Sequence, residues 1–251
     1  MIRLKAVFLF LLALATPAGA ATCEKLRFDE TPFTVCTVDP AAEELRLFLR
    51  DKDGRVLGSF SRVKQALEAE GLTLGVAMNA GMYHSDRSPV GLYVEDGVQE
   101  MRLVTSAGPG NFGMLPNGVL CLNEGRADVI EARAFRDDGQ TCRYATQSGP
   151  MLVIDGALHP RFLEDSSTQF IRNGVGVDAK GLVYLAISDA PVRFHLFGRL
   201  FRDHLKTPNA LFLDGKVSKL YAPDLGRSGF GLPMGPILGT VQPLDEPAAA
   251  Q

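Results

Sequence analysis

Val175-Gly176-Val177-Asp178-Ala179-Lys180-Gly181-Leu182-Val183-Tyr184-Leu185-Ala186-Ile187-Ser188 is two apolar runs joined by a short turn that ends in glycine. Bulky apolar residues on both sides of such a turn predict a hairpin, and so an antiparallel pair. The same pattern recurs along the chain. Residues 90–94 and 98–104 flank Glu95-Asp96-Gly97, residues 113–122 contain Pro116-Asn117-Gly118, and residues 151–154 lead into Asp155-Gly156. Residues 33–38 and 45–50 alternate like half-buried strands, while 72–78 and 209–213 are unbroken apolar runs suited to buried ones. Two segments carry helical spacing. In 61–70, Val63, Ala66 and Leu67 share a face, Ser59 or Ser61 can cap the start, and Gly71 ends it. In 194–205, Leu196, Leu200, Phe201 and Leu205 recur at helical intervals. Strand runs with so few helices do not alternate as βαβ units. The predicted class is therefore α+β: a single domain with a twisted mixed or antiparallel sheet and a few helices.

The chain start reads differently. Arg3 and Lys5 precede an apolar run over 6–15, then Pro17 and Ala18-Gly19-Ala20. This order predicts a cleaved signal peptide over 1–20 and a periplasmic or secreted product. The run is shorter than the roughly 20 residues that span a bilayer, so no transmembrane segment is expected in the mature protein. Cys23 keeps a lipoprotein alternative open, although Thr22 stands where such signals place Gly or Ala. The expected domain covers 23–242, followed by a flexible Pro/Ala-rich tail over 243–251. Loss of Arg3 and Lys5 takes the formal charge from −3 to −5. A mildly acidic chain without basic runs excludes nucleic acid as an expected partner.

Cys23, Cys36, Cys121 and Cys142 are the four cysteines. In an exported protein they predict disulfides. Spacing favours Cys23–Cys36 and Cys121–Cys142 among the three possible pairings. No Cys or His pair has metal-ligand spacing, His84, Asp86 and Asp96 read as solvated loop residues, and no H-E-x-x-H or G-x-S-x-G occurs. Neither a metal site nor a cofactor is expected. Residues 226–239 read as a closing strand with turns, and Phe112, Phe170, Phe212 and Phe230 as core.

Polar residues followed by glycine stand where the apolar runs end: Asn79-Ala80-Gly81, Gln147-Ser148-Gly149-Pro150, Arg172-Asn173-Gly174 and Asp214-Gly215-Lys216-Val217-Ser218. Strand ends of this kind aim side chains and bare backbone into one rim. Singly, each is also an ordinary turn. Their order, together with Met82-Tyr83, Ser88-Pro89-Val90-Gly91-Leu92 and Asn209-Ala210-Leu211-Phe212-Leu213, resembles the phosphodiester glycosidase family, to which the enzyme that uncovers mannose 6-phosphate belongs. The resemblance spans roughly residues 76–239 and is greatest to bacterial secreted members. It departs at Lys216, where the family carries a second glycine.

The resemblance implies a hydrolase that cleaves a sugar-1-phosphodiester, with a phosphorylated carbohydrate as partner. Asp214 would be the first carboxylate, Arg172 a bidentate phosphate clamp and Asp189 a second carboxylate. Asn79, Gln147, Ser148 and Ser218 would donate to sugar or phosphate, and the backbone at Gly81, Gly149 and Gly215 would add an anion nest. A non-catalytic binder of anionic or phosphorylated envelope glycans is the alternative from another class, and an unrelated envelope hydrolase using the same cleft is a third.

Overall fold

The computed structural model describes residues 20–214 and 217–244. Among them every strand pairing is antiparallel, in three sheets. The largest has seven strands: β1 (Thr22–Phe28), β2 (Thr31–Val38), β10 (Met151–Ile154), β11 (Ala157–Leu158), β12 (Asn173–Val177), β13 (Val183–Ser188) and β14 (Asn209–Phe212). Their order across the sheet is β1-β2-β13-β12-β14-β10-β11. A second sheet sets β15 (Leu220–Tyr221), β4 (Leu72–Asn79), β16 (Ile237–Pro243) and β3 (Glu44–Phe48) side by side in that order. The third runs β6 (Val98–Met101), β5 (Tyr93–Glu95), β9 (Tyr144–Ser148), β7 (Gly118–Asn123) and β8 (Arg126–Glu131).

Each sheet turns one face to a shared core and the other to a helix, which is why so many strands read as unbroken apolar runs. In β7, Leu120 and Leu122 enter the shared core, while Val119 and Cys121 face Phe135 of α2 (Ala132–Asp137). In β14, Leu211 points inward, whereas Ala210 and Phe212 meet Phe197 and Phe201 on α3 (Phe194–Arg199) and the π turn that extends it. On the second sheet, Phe60, Val63 and Leu67 of α1 (Phe60–Glu68) cover Leu74, Ala77 and Ile237. Each Val, Leu, Ile or Phe among them, fully buried, contributes about 1.5–3 kcal/mol. Ser59 caps α1 by accepting from the Arg62 amide at 3.3 Å. Gly71, two residues past the Ala69 cap, sits at φ +75°, which favours glycine.

The α+β class and the hairpins at Glu95-Asp96-Gly97, Asp155-Gly156 and Ala179-Lys180-Gly181 match the sequence expectation. Other points differ. Pro116-Asn117-Gly118 is no hairpin, because only Gly118 begins a strand and the preceding residues loop. β1, β8 and α2 carry too few apolar residues to signal themselves. Phe112 and Phe212 are buried, but Phe170 is 51% and Phe230 98% exposed, so those two are not core. Residues 226–236 do not form a strand; only 237–243 do. Pro243 ends β16 and the Leu244 amide bonds the Gly71 carbonyl, so the sheet reaches into the expected tail; residues 245–251, like 1–19 of the expected leader, lie outside the described residues.

Cys23 is bonded to Cys36 and Cys121 to Cys142. Cys23 and Cys36 are direct cross-strand partners in β1 and β2. A Cys23 sulfur held in this bridge is not available for a lipid thioether. No helix among the described residues is long and apolar enough to cross a membrane.

Candidate active site

The seven-stranded sheet presents one end at which β2 and β12 begin while β13 and β14 finish. β4 of the second sheet and β9 of the third end against the same place, which is where the quoted motifs lie.

Asn173 is the junction. It opens β12 and is fully buried. Its Oδ1 accepts from Asn79 Nδ2 at 3.3 Å, the Asp214 amide at 3.2 Å and Ser218 Oγ at 3.4 Å. Its Nδ2 donates to the Asn79 carbonyl at 3.0 Å. Asn79 Oδ1 in turn accepts from the Lys219 amide at 2.8 Å. Ser218 Oγ lies 2.8 Å from the Asp214 carbonyl and 3.1 Å from that of Ile171, acting as donor to the backbone. One buried amide therefore fixes the ends of β4, β12 and β14 relative to one another. Buried polar groups with full partnerships of this sort hold a single geometry.

Asp214 stands at this junction, 9% exposed, just past β14. Tyr83 faces it. Burial first, then the negative charge of Asp214, raises the Tyr83 phenol above its ordinary pKa, while Arg87 opposes the shift. The ring packs on Gly235, where a Cβ would fall 2.4 Å from Tyr83 Cγ.

Arg172 precedes Asn173, so strand alternation sends its side chain to the opposite face. There it lies beneath α3, with the guanidinium carbon 3.6 Å from the Phe194 ring centroid and 5.5–5.6 Å from those of Phe212 and Phe170. Nε donates to the Val192 carbonyl at 2.9 Å, Nη2 reaches the Thr168 carbonyl at 3.5 Å, and Nη1 has no hydrogen-bond partner. The residue is 1% exposed, and burial alone lowers its pKa to about 10. Its backbone exchanges hydrogen bonds with Ser188 at the end of β13. Arg172 and Asp214 thus flank the same asparagine.

The other expected residues are placed as follows. Gln147 is buried and spent on the chain: Oε1 accepts from the Leu92 and Val104 amides, both at 3.0 Å, and Nε2 donates to the Val104 carbonyl. It holds two loops in place and points no donor at the junction. Ser148 Oγ donates to the Leu213 carbonyl, tying β9 to the residue before Asp214. The Gly81 amide donates to Thr146 Oγ1 at 3.1 Å, so it is not open to an anion. A Cβ there would lie 2.4 Å from the Gln147 carbonyl oxygen, which explains the glycine. Gly149 likewise has no room for a side chain, with Asn117 Cβ 2.8 Å from the position. Asp189 accepts from Thr34 Oγ1 at 2.7 Å and pairs with Arg227, whose Nη1 also donates to Thr34. That carboxylate is neutralised within the rim. Gly215 lies outside the described residues.

Sequence reading assigned no role to Asn173 or Tyr83, although both occur in the quoted motifs. A polar residue opening an otherwise apolar strand, Asn173-Gly174-Val175-Gly176-Val177, was the available signal for the first. For Tyr83 there was none, since its position depends on the distant Gly235. Among the described residues no group of His, Cys, Asp or Glu is arranged to hold a metal ion. Three surface cavities of about 680, 550 and 310 Å³ are lined by residues away from the junction.

The family model for phosphodiester glycosidases matches residues 73–228, and the chain belongs to that family. It is 30% identical over 222 residues to the uncharacterized protein YigE of Escherichia coli K12, covering 88% of this chain and 86% of that one. Its fold is similar to the zebrafish N-acetylglucosamine-1-phosphodiester α-N-acetylglucosaminidase catalytic domain auto-inhibited by its pro-peptide. That match has a TM-score of 0.60 at 12% identity and covers 88% of this chain and 81% of that one. A hypothetical protein from Synechocystis aligns with a TM-score of 0.59 at 13% identity, over 88% of this chain and 61% of that one. A protein of Burkholderia pseudomallei K96243 aligns at 0.52 and 13%, over 84% and 74%.

Proposed function

We propose that this chain, as a domain over 23–242 exported to the cell envelope, hydrolyses a glycosyl phosphodiester of the N-acetylglucosamine-1-phosphodiester kind. The observation that supports the reading is the buried Asn173 junction, which receives the Asp214 amide and fixes that carboxylate where the strand-end motifs meet. Splitting the sugar–oxygen bond releases a phosphate monoester. Its second ionisation lies near pKa ~6, so it leaves without a strong general acid. That removes the need for the raised-pKa carboxylic acid of ordinary glycosidases, and a second carboxylate at Asp189 has no task to perform. Asp214 faces the positive charge that develops at the anomeric carbon. Arg172 adds positive charge from the opposite face of the strand, with both N–H groups of Nη1 unpaired among the described residues. Asn79, Asn173 and Ser218 set the position of Asp214, and Gln147 and Ser148 brace the loops around it.

The test uses the oxidised mature protein with UDP-N-acetylglucosamine or a methyl-phospho-sugar and follows release of free sugar. Asp214→Asn should abolish turnover, and Arg172→Met should raise KM and lower kcat. Turnover that survives both substitutions refutes the assignment. The departure from the family pattern at Lys216 keeps one second reading, a binder of phosphorylated envelope glycans. Tight binding with no turnover would select it.

A further inference from the structure

Far from the junction, the start of the described chain holds an unusual contact. Ala21 is buried at 8% exposure, and its backbone nitrogen donates to Glu43 Oε2 at 2.6 Å. Glu43 is itself buried at 6% and receives Gln242 Nε2 on Oε1 at 2.7 Å. It lies against the bare backbone of β4, where a Cβ on Gly75 would come 2.8 Å from Oε1. No lysine or arginine pairs with Glu43 among the described residues. A buried carboxylate held only by neutral amides is costly; it needs a cation.

The sequence names one. Ala18-Gly19-Ala20 is a leader-peptidase pattern whose cut falls between Ala20 and Ala21. We propose that the Ala20–Ala21 bond is the processing site and that the α-ammonium freed on Ala21 forms a buried ion pair with Glu43. Water, delivered by a leader peptidase, adds across this peptide bond. Ala20 departs with the new carboxylate, and the Ala21 nitrogen keeps its proton and gains two to become the ammonium. The nitrogen is already within hydrogen-bond distance of the carboxylate, so cleavage turns an amide–carboxylate bond into an ion pair. Through Gln242 and the Gly75 backbone, the pair clamps β1 to the β4–β16 ladder, at the end opposite Asn79. Maturation and tight folding would thereby be coupled: the uncleaved precursor has only the amide–carboxylate bond, and the exported product gains the ion pair.

The experiment has two parts. Full-length chain exported in a Gram-negative host is recovered and its first residue is read by intact mass and N-terminal sequencing. Ala21 is expected; any other start, or an uncleaved chain, overturns the proposal. Protein beginning at Ala21 is then melted beside protein carrying one glycine before Ala21, both produced with defined ends. The charged pair should raise the Ala21 form by about 3–8 °C over the extended form. Glu43→Gln should lower the Ala21 form and close most of that gap. Equal melting of the two wild-type forms refutes the clamp, and this comparison stands even where Glu43→Gln does not fold.

Discussion

Replacing Arg172 by methionine should leave the fold almost as stable as before while removing its chemistry. Burial that draws an arginine down to about 10 represents a cost of roughly 3 kcal/mol. Methionine, of similar length, removes that cost. It also forfeits the stacking on Phe194, worth about 1–2 kcal/mol when desolvated, and the bond to the Val192 carbonyl, worth about 1 kcal/mol. The Val192 carbonyl is not orphaned, since the Phe170 amide still donates to it at 3.2 Å, and the 3.5 Å contact to Thr168 is too long to count for much. Gains and losses cancel to within about 1 kcal/mol, a Tm change within roughly 4 °C for a chain of this size. Arg172→Ala, by contrast, leaves a cavity between three aromatic rings and should lose about 2–5 kcal/mol. The assay is thermal unfolding of the three proteins beside sugar release. The sign of the pH effect is fixed. The folded pKa lies below the unfolded one, so the cost is complete below pH 10. It is relieved only above that, where the folded arginine sheds a proton that the unfolded chain keeps. The gap between wild type and Arg172→Met should therefore be flat from pH 6 to 9. A methionine variant that melts more than about 10 °C lower, or a gap that moves across that range, would refute the reasoning.

Asn173→Ala should cost about 3 kcal/mol, or roughly 6–12 °C in Tm, because it strands donors from Asn79 and Asp214 at once. Ser218→Ala should cost far less. Asp214→Asn should shift the Tyr83 phenol toward lower pH by removing the charge that raises it; ultraviolet titration against a Tyr83→Phe control reads this, and an unmoved titration means the two groups are not in contact. Ser59→Ala should lower Tm by about 2–4 °C through loss of the α1 cap, with sugar release unchanged.

The sheet architecture was legible because turn chemistry and apolar patterning are local. Asp155-Gly156 and Ala179-Lys180-Gly181 specify their hairpins within a few residues. Pro116-Asn117-Gly118 misled because the same residues also suit a plain loop, and only the pairing of Gly118 with Ser148 and Glu131 decides between them. The rim positions were legible as polar tips on apolar strands, but the aim of each side chain was not. Gln147 looked like a ligand donor; its amide is consumed by Val104, 43 residues away in sequence. Asp189 looked like a free carboxylate until Arg227 arrived from a loop with no strand pattern of its own. Asn173 was hidden by its own motif, since Arg-Asn-Gly reads as a turn. Phe170 and Phe230 show the limit of composition: an aromatic residue states a preference for burial, and the backbone around it decides whether burial is offered.

The junction draws on positions 79, 173, 214 and 218, on two sheets that touch only after long loops have closed. Closures over such separations come late in folding. A nascent or half-folded copy of this polypeptide consequently lacks the buried amide that ties positions 79, 173 and 214 together.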